Sequence, residues 1–270
     1  MDHLNRHQAP LTKEMWNALD QAAIAAARDR LTARRFLKLE GPFGLGLTAI
    51  EVGNDQYCRQ PAPDEAGAIM GHTLPVPLIR KGFGLSLRRV AAALDNGQPL
   101  DLSPAEDAAE AVADREEELI YRGQPDFHLQ GLLTAEGRTH SAGGWSDVGQ
   151  SLQALLAAVT KLDEGGFHGP YALALAPALY NSLFKLYPSS DVPQIDHLRK
   201  LCTKGIYKAP IDGGVLVDVR VGTLILGEDL RTGYVSQDGV HYQLYVMESL
   251  VLRIDEPRAI CTIGAEARSA

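Results

Sequence analysis

Three consecutive glutamates, Glu116–Glu118, are the first group in this chain whose spacing could do chemistry, because paired carboxylates can serve as general acid and base. The surrounding pattern is helical, and consecutive helix positions point in different directions around the axis. The three carboxylates therefore cannot clamp one substrate atom together. We interpret them as a solvated or interface-facing run of charge.

Histidines, serines and cysteines do not form the motifs of known catalytic and metal sites. None of the eight histidines lies in an HExxH motif, and no serine lies in a GxSxG turn. The three cysteines are far apart and outside any CxxC pair, and Cys202 shares a predicted helix face with Leu198 and Leu201. The sequence predicts no catalytic residue, no metal, no cofactor and a core position for Cys202.

The glycine-rich segment Gly41–Gly46, GPFGLG, superficially matches a phosphate-binding loop. It lacks the Lys-Ser/Thr pair of such loops, and no helix signal follows it. We therefore do not expect nucleotide binding at this segment.

Composition narrows the class of protein further. The 270 residues include 34 acidic and 26 basic side chains, for a net charge of −8, with 45% hydrophobic residues. These values are typical of a globular protein, and they lack the basic excess of general nucleic-acid binders. The N-terminal residues contain no apolar stretch of signal-peptide length, and the uncharged run 169–184 is too short for a membrane span. We expect a cytoplasmic protein with neither nucleic acid nor membrane as partner.

Helices and strands are predicted in a mixed order. The apolar period favours a helix over residues 12–32 capped by Thr12, a short one ended by Asn96-Gly97, and a long one over 103–122 opened by Ser103-Pro104. Residues 53–77 show little period and predict a long irregular excursion. Further helices are predicted from Ser146 or Asp147 to Leu162, and over 177–186 and 194–204.

The last part of the chain predicts strands, and one buried strand is predicted earlier, at Tyr171–Leu175. Residues 215–221, 223–226, 240–254 and 259–263 are rich in β-branched and aliphatic residues, and Asp238-Gly239 predicts a hairpin turn. No regular βαβ alternation or repeat occurs. We therefore predict an α+β fold.

A set of segments in a fixed order resembles the encapsulins, which are shell proteins of bacterial and archaeal nanocompartments. The resemblance spans nearly the whole chain, and its specificity lies in the order of the segments. They are AP-LT at 9–12 with Trp16, RRFLKLEGPFG at 34–44, DLS at 101–103, EEELIYRG at 116–123, GLLTAEGR at 131–138, HGPYALAL at 168–175, LGEDLRTGY at 226–234 and YVMESLVLRIDEPRAICTI at 245–263.

The resemblance implies the fold of the tailed-bacteriophage major capsid protein, with a peripheral domain, an axial domain and an extended loop. It divides the chain into an N-terminal arm and helix (1–40), the extended loop (41–75), the peripheral domain in two parts (76–132 and 225–270), and the axial domain (133–224).

The resemblance also implies self-assembly into an icosahedral shell around a cargo enzyme, which carries the catalysis and a C-terminal targeting peptide. The segments LYNSLFKLY, IDHLRKL and LRIDEPRAICTI are most similar to encapsulins that enclose ferritin-like iron-oxidising proteins for iron storage. A dye-decolourising peroxidase in oxidative-stress defence is the alternative cargo.

The targeting peptide is expected to dock on the inner surface, where an apolar segment could contact Leu37 and Leu230 and Arg34 could donate charge-assisted hydrogen bonds. Two positions depart from the family. Lys38 stands where many relatives have an acidic residue, and we favour a solvated role for it. Arg88 stands where some relatives have an aromatic residue associated with flavin binding, so no flavin is predicted. The expected docking residues are Arg34, Leu37, Lys38, Leu230, Thr232 and Tyr234.

A pore is expected in the loop that joins two helices of the implied axial domain. Symmetry would repeat Asp191 into a ring that favours cations, whereas an ordinary exposed turn is the alternative interpretation. The pore candidates are Tyr187, Pro188, Ser189, Ser190 and Asp191.

Two other classes of function compete with the shell. A phage or prophage capsid protein would share the fold, but the chain ends provide no basic tail to neutralise a genome. A small enzyme is the third hypothesis, although no nucleophile and base pair is visible in the sequence.

Overall fold

The computed structural model describes residues 3–145, 149–187 and 191–264. Within these ranges, no helix is long and apolar enough to span a membrane. The described residues form six α-helices: α1 (Lys13–Arg30), α2 (Leu87–Asn96), α3 (Ser103–Arg122), α4 (Gln150–Glu164), α5 (Pro177–Ser182) and α6 (Gln194–Leu201).

Strands occur throughout the described chain and are densest after residue 205. They are β1 (Lys38–Glu40), β2 (Ala49–Tyr57), β3 (Ile69–Pro75), β4 (Leu78–Ser86), β5 (Gly123–Gln124), β6 (Leu129–Gln130), β7 (Thr139–Ser141), β8 (Tyr171–Leu175), β9 (Gly205–Lys208), β10 (Gly214–Asp218), β11 (Gly222–Leu226), β12 (Arg231–Asp238), β13 (His241–Ile254) and β14 (Ile260–Ile263). The mixture confirms the predicted α+β class.

The first sheet is organised around the long strand β13. The order is β1-β11-β13-β12, and β4 also pairs with β13. Strand β4 pairs with residues 241–249 of β13, and β11 pairs with residues 250–254. Helices α1 and α3 pack on this sheet and on each other. Leu19 of α1, Val112 of α3 and Val246 of β13 are buried in one apolar cluster there, with Trp16 at its margin.

The second sheet has the order β7-β14-β10-β8-β9, and α4 packs against β14 and β10. Leu155, Leu173, Leu216 and Ile260 are fully buried in its core. The sequence-based division placed residues 225–270 together, but the structure pairs Ile260–Ile263 with β10 of this second sheet. The division at residue 224 also falls inside β11, which belongs to the first sheet.

An antiparallel ribbon of β2 and β3 replaces the irregular excursion expected over residues 53–77. None of the residues in either strand is buried. The ribbon packs on the body near its base, through Ile50 and Leu74. Beyond that base its residues have no reason to alternate apolar and polar, and alternation is the signal by which a strand is recognised. The prediction of an irregular segment was therefore wrong for the two strands, whereas residues 58–68 between them form neither helix nor strand.

The observed helix ends lie close to the predicted ones where a local capping interaction fixes the end. The Thr12 hydroxyl accepts a hydrogen bond from the Met15 N–H at 3.3 Å, and Gly97 ends α2 in the left-handed conformation. At α3 the expected cap is displaced: Leu102 occupies the N-cap position, and Asp101 accepts the Ser103 N–H. Helix α4 begins at Gln150, and its predicted start at Ser146 or Asp147 lies outside the described residues.

The N-terminal segment lies along the outer edge of β12. The Leu4 carbonyl accepts a hydrogen bond from the Tyr234 N–H at 2.9 Å. Arg6 donates to both carboxylate oxygens of Asp20 at 2.7 and 2.8 Å and to the Thr232 carbonyl, and its guanidinium lies over the Trp16 ring. The segment is thus fastened to α1 and to β12 at once.

Candidate functional site

A groove of about 260 Å³ lies between the C-terminal end of α1 and the start of β12. Apolar side chains form one wall and charged side chains form the floor and rim. The lining residues are Ile24, Ala27, Leu31 and Leu230 on the apolar side, with Arg28, Arg34, Arg35, Asp229 and Glu248 on the charged side.

The helical period of α1 and the turn that follows it produce the apolar wall. Ala27 and Leu31 belong to the core stripe, whereas Ile24 is 40% exposed and points toward the groove. Leu31 takes an extended conformation and ends the helix. The short 3₁₀ turn Ala33–Arg35 then returns the chain beneath α1, and this turn places Arg34 at the groove floor.

Arg34 is the centre of a buried ion cluster. Its Nε and Nη2 donate to the two oxygens of Glu116 at 2.6 and 2.8 Å. Nη2 also donates to Glu248 at 2.7 Å, and Nη1 donates to Asp229 at 3.0 Å. These bonds use most of the guanidinium N–H groups, so Arg34 organises the site rather than presenting a free fork to a ligand.

The interpretation of Glu116–Glu118 as a solvated charge run was wrong for two of the three residues. Glu116 and Glu117 are buried, while Glu118 is exposed and pairs with Arg115. The partner of Glu116 is Arg34, 82 positions away, so no local pattern could indicate it. Charged side chains are rarely buried unless they are paired, and here the pairing is entirely long-range.

Glu117 holds the turn that shapes the groove. Its Oε1 accepts the backbone N–H groups of Thr32 and Ala33, both at 3.0 Å, and its Oε2 accepts the Thr32 hydroxyl. The same hydroxyl contacts the Tyr121 hydroxyl at 2.9 Å. Burial raises the pKa of Glu117, and the hydrogen bonds from Thr32 and Ala33 counteract part of that rise.

The structure brings together only part of the predicted docking set. Arg34 and Leu230 line the groove, whereas Leu37 is buried in the core that includes the second sheet. Thr232 is buried, and its hydroxyl donates to Asp20 at 2.7 Å. Tyr234 lines a separate hollow on the other side of the N-terminal segment.

Lys38 is exposed and lies outside the groove. Its Nζ is 2.6 Å from the Glu40 carboxylate in a pair whose side chains are 65% and 35% exposed. Such an exposed pair contributes little to stability. Conversely, sequence reasoning missed Ile24 and Glu248. Only Ile24 gave a signal, as an apolar residue outside the core stripe of α1.

The predicted pore loop is described only at its two ends. Tyr187 is half-buried, and its ring packs edge-on against His197 at 5.2 Å between centroids. Asp191 is exposed. Pro188, Ser189 and Ser190 lie outside the described residues, so the pore remains a prediction.

The other chemical candidates are accounted for by contacts within the fold. In the Gly41–Gly46 segment, the Phe43 and Gly44 N–H groups donate to the Leu226 and Gly227 carbonyls, so they are not available to a phosphate. Cys202 is buried as predicted, and burial raises the pKa of its thiol to about 12. The described residues contain no group of three or more potential metal ligands.

Comparison with known proteins agrees with this fold across the chain. The family model Linocin_M18, described as an encapsulating protein for peroxidase, matches residues 1–251. The type 1 encapsulin shell protein EncA of Myxococcus xanthus is 35% identical over 98% of each chain. A virus-like particle from Pyrococcus furiosus superposes with a TM-score of 0.73 at 21% identity, covering 93% of this chain and 99% of that one. The capsid of Myoviridae phage XM1 gives a TM-score of 0.58 at 18% identity, over 86% and 90% of the two chains.

Proposed function

The chain belongs to the encapsulin family of shell proteins and has the tailed-phage capsid fold, and we propose from this premise that its copies assemble into a closed icosahedral shell around a cargo protein. Catalysis then belongs to the cargo, and the shell works in the cytoplasm. The observation that carries the proposal is the exposed β2–β3 ribbon.

The ribbon has the properties of a segment that is completed by another copy. Tyr57, Ile69 and Met70 are exposed by 47%, 57% and 62%, although they lie in regular strands. A two-stranded ribbon in water is only marginally stable by itself. Contact with a neighbouring chain would bury these side chains and supply the missing stabilisation.

Negative-stain electron microscopy of the purified chain, with size-exclusion chromatography, tests assembly directly. We expect uniform hollow shells formed by the chain alone. The ratio of absorbance at nucleic-acid and protein wavelengths separates the shell from a phage-type capsid, since a net charge of −8 per chain opposes genome packaging. A monodisperse monomer would overturn the proposal.

We propose that the groove beside Arg34 receives the C-terminal targeting peptide of the cargo. Its apolar wall of Ile24, Leu31 and Leu230 supports the docking of apolar side chains, with Asp229 at the rim. The role of Arg34 is to fix the floor, since its donors are already bound. Leu37, Lys38, Thr232 and Tyr234 remain part of the proposed inner surface, but the groove residues carry the test.

Replacing Ile24 with Asp places a charge in the apolar wall without touching the ion cluster. In co-expression with a cargo protein that bears its own C-terminal peptide, we expect cargo per shell to fall about tenfold, equivalent to ~1.4 kcal/mol of binding. The matched control is Leu94→Asp on α2, outside the groove. Leu94 is 44% exposed and Ile24 is 40% exposed, so the two substitutions place Asp at positions of similar exposure. Equal loading of the two variants would contradict docking at this groove.

The cargo proposed is a ferritin-like iron-oxidising protein, because the segments near residues 179–187, 195–201 and 252–263 resemble shells of that class. A dye-decolourising peroxidase is the second candidate, favoured by the description of the matching family as an encapsulating protein for peroxidase. Loaded shells distinguish the two: iron oxidation without haem absorbance indicates the first, and haem absorbance with peroxidase activity indicates the second.

For passage of small substrates, we propose the loop from Tyr187 to Asp191 as the pore.

A further inference from the structure

Two buried carboxyl groups share a single cation at the floor of the groove. The side chains of Glu116 and Glu248 are 0% and 1% exposed. Both accept a hydrogen bond from the same nitrogen, Nη2 of Arg34, at 2.8 and 2.7 Å. One positive charge therefore faces two groups that would each be negative if ionised.

Glu248 also has an oxygen that receives no donor. Its Oε1 is buried and has no donor among the described residues, and the shared Arg34 nitrogen holds the Glu248 carboxyl group beside that of Glu116. Two carboxylates cannot form a hydrogen bond, because neither has a proton to donate. A proton on either group removes both the unsatisfied oxygen and the charge repulsion.

Among the residues that the structure describes, no second basic side chain is paired with Glu116 or Glu248. The cross-strand partner of Glu248 on β4 is the apolar Ile79, and the rim residue Asp229 adds a negative charge. The other charged residues near the groove have different partners or remain at its rim. They are Arg28 and Arg35, of which Arg35 donates to the Arg28 carbonyl, and Arg231, which pairs with Glu228.

We propose that Glu116 and Glu248 share one proton beneath Arg34, and that loss of this proton as pH rises loosens the turn that forms the groove wall. Burial, and next the negative charge of Glu116, raise the pKa of Glu248 well above its usual range, in accord with this arrangement. Neighbouring buried carboxyls cannot easily both ionise. The link to cargo docking rests on the proposed function, whereas the shared proton rests on these contacts alone.

The direction of the pH effect follows from linkage. Unfolded glutamate titrates near ~4.3, so between that value and the raised pKa the folded chain holds a proton that the unfolded chain has lost. The contribution of this proton to the free energy of unfolding is therefore largest below the ordinary value. It falls as pH rises through this window and is then constant above the raised pKa of Glu248.

Glu248→Gln tests the proposal on the assembled shell. The glutamine has nearly the shape of the protonated acid, since its oxygen can accept from Arg34 and its amide can donate to Glu116. We expect the thermal midpoint at neutral pH to be unchanged and its decline from pH 5 to pH 8 to be smaller. We also expect the infrared band of a protonated carboxyl group, present in the parent shell, to be absent from the variant.

Glu118→Gln is the control, because Glu118 is exposed on the same helix and should leave the band and the pH decline unchanged. A parent shell without the band, or a Glu248→Gln shell whose midpoint drops sharply at neutral pH, would show an ionised Glu248 and overturn the proposal. If Glu248→Gln does not fold, Glu116→Gln removes the same proton and serves instead. These measurements need no cargo, so failed docking and a failed proton assignment are distinguishable.

Discussion

The strands β13 and β2 are both long and antiparallel, yet they are stabilised differently. Nine of the fourteen residues of β13 are buried, between two neighbouring strands and beneath α3. None of the nine residues of β2 is buried, and its one partner is β3. Backbone pairing is therefore common to both regions, and burial is what separates them. Burial therefore stabilises the sheets, whereas the ribbon keeps exposed side chains that another copy could contact.

The largest effect should come from removing the cation of the buried cluster. Arg34→Ala leaves the buried Glu116 and Glu248 pair without its positive partner. We expect the free energy of unfolding to fall by about 3–5 kcal/mol in denaturant titration of the unassembled chain. Arg115→Ala, which removes the exposed pair with Glu118 and a hydrogen bond to Gln124, should change it by only about 1 kcal/mol. Similar losses in both variants would mean that burial does not govern this region.

A cavity in the second sheet should have the next largest effect. Leu216 on β10 is fully buried, so Leu216→Ala removes apolar contacts that the surrounding strands cannot replace. We expect a loss of about 2–5 kcal/mol in the same titration. Val235→Ala is the comparison, since Val235 is 47% exposed on β12. Its expected change is within ~0.5 kcal/mol, and a larger change would blur the contrast between buried and exposed strand positions.

The ribbon should give the smallest change in chain stability and a large change in assembly. Met70→Ser removes an apolar side chain that is 62% exposed in the single chain. We expect the unassembled chain to unfold within ~0.5 kcal/mol of the parent. The assembled fraction in size-exclusion chromatography should fall. If the unassembled chain is strongly destabilised instead, the ribbon is part of the body and the comparison fails.

Local signals in the sequence were sufficient for the elements that local contacts decide. Thr12 caps α1 through its own side chain, and Asp238-Gly239 lies at the turn between β12 and β13. The buried carboxylates could not be predicted in this way, because their partner Arg34 lies far away in sequence. The ribbon could not be predicted either, since over most of its length both faces are exposed and the alternation of a half-buried strand is lost.

The structure brings only part of the predicted docking residues to one groove, for a reason visible along β12. Leu230, Thr232 and Tyr234 alternate onto one face of the chain, as a strand requires. That face is turned toward α1, which covers Thr232 through Asp20 and leaves Leu230 at the uncovered end of the helix. That this surface binds a targeting peptide stays a prediction from the resemblance, and the length of α1 decides which of its residues are accessible.

The N-terminal segment fastened along β12 has a consequence for the newly made chain in a crowded solution. An open outer strand is a template on which other chains can add strands without limit and precipitate. With the Leu4 carbonyl bound to the Tyr234 N–H and Arg6 bound to Asp20, part of that outer edge of the first sheet is already occupied. We expect this occupancy to slow nonspecific aggregation of protomers at this edge, so that ordered assembly of the particle can be faster than aggregation.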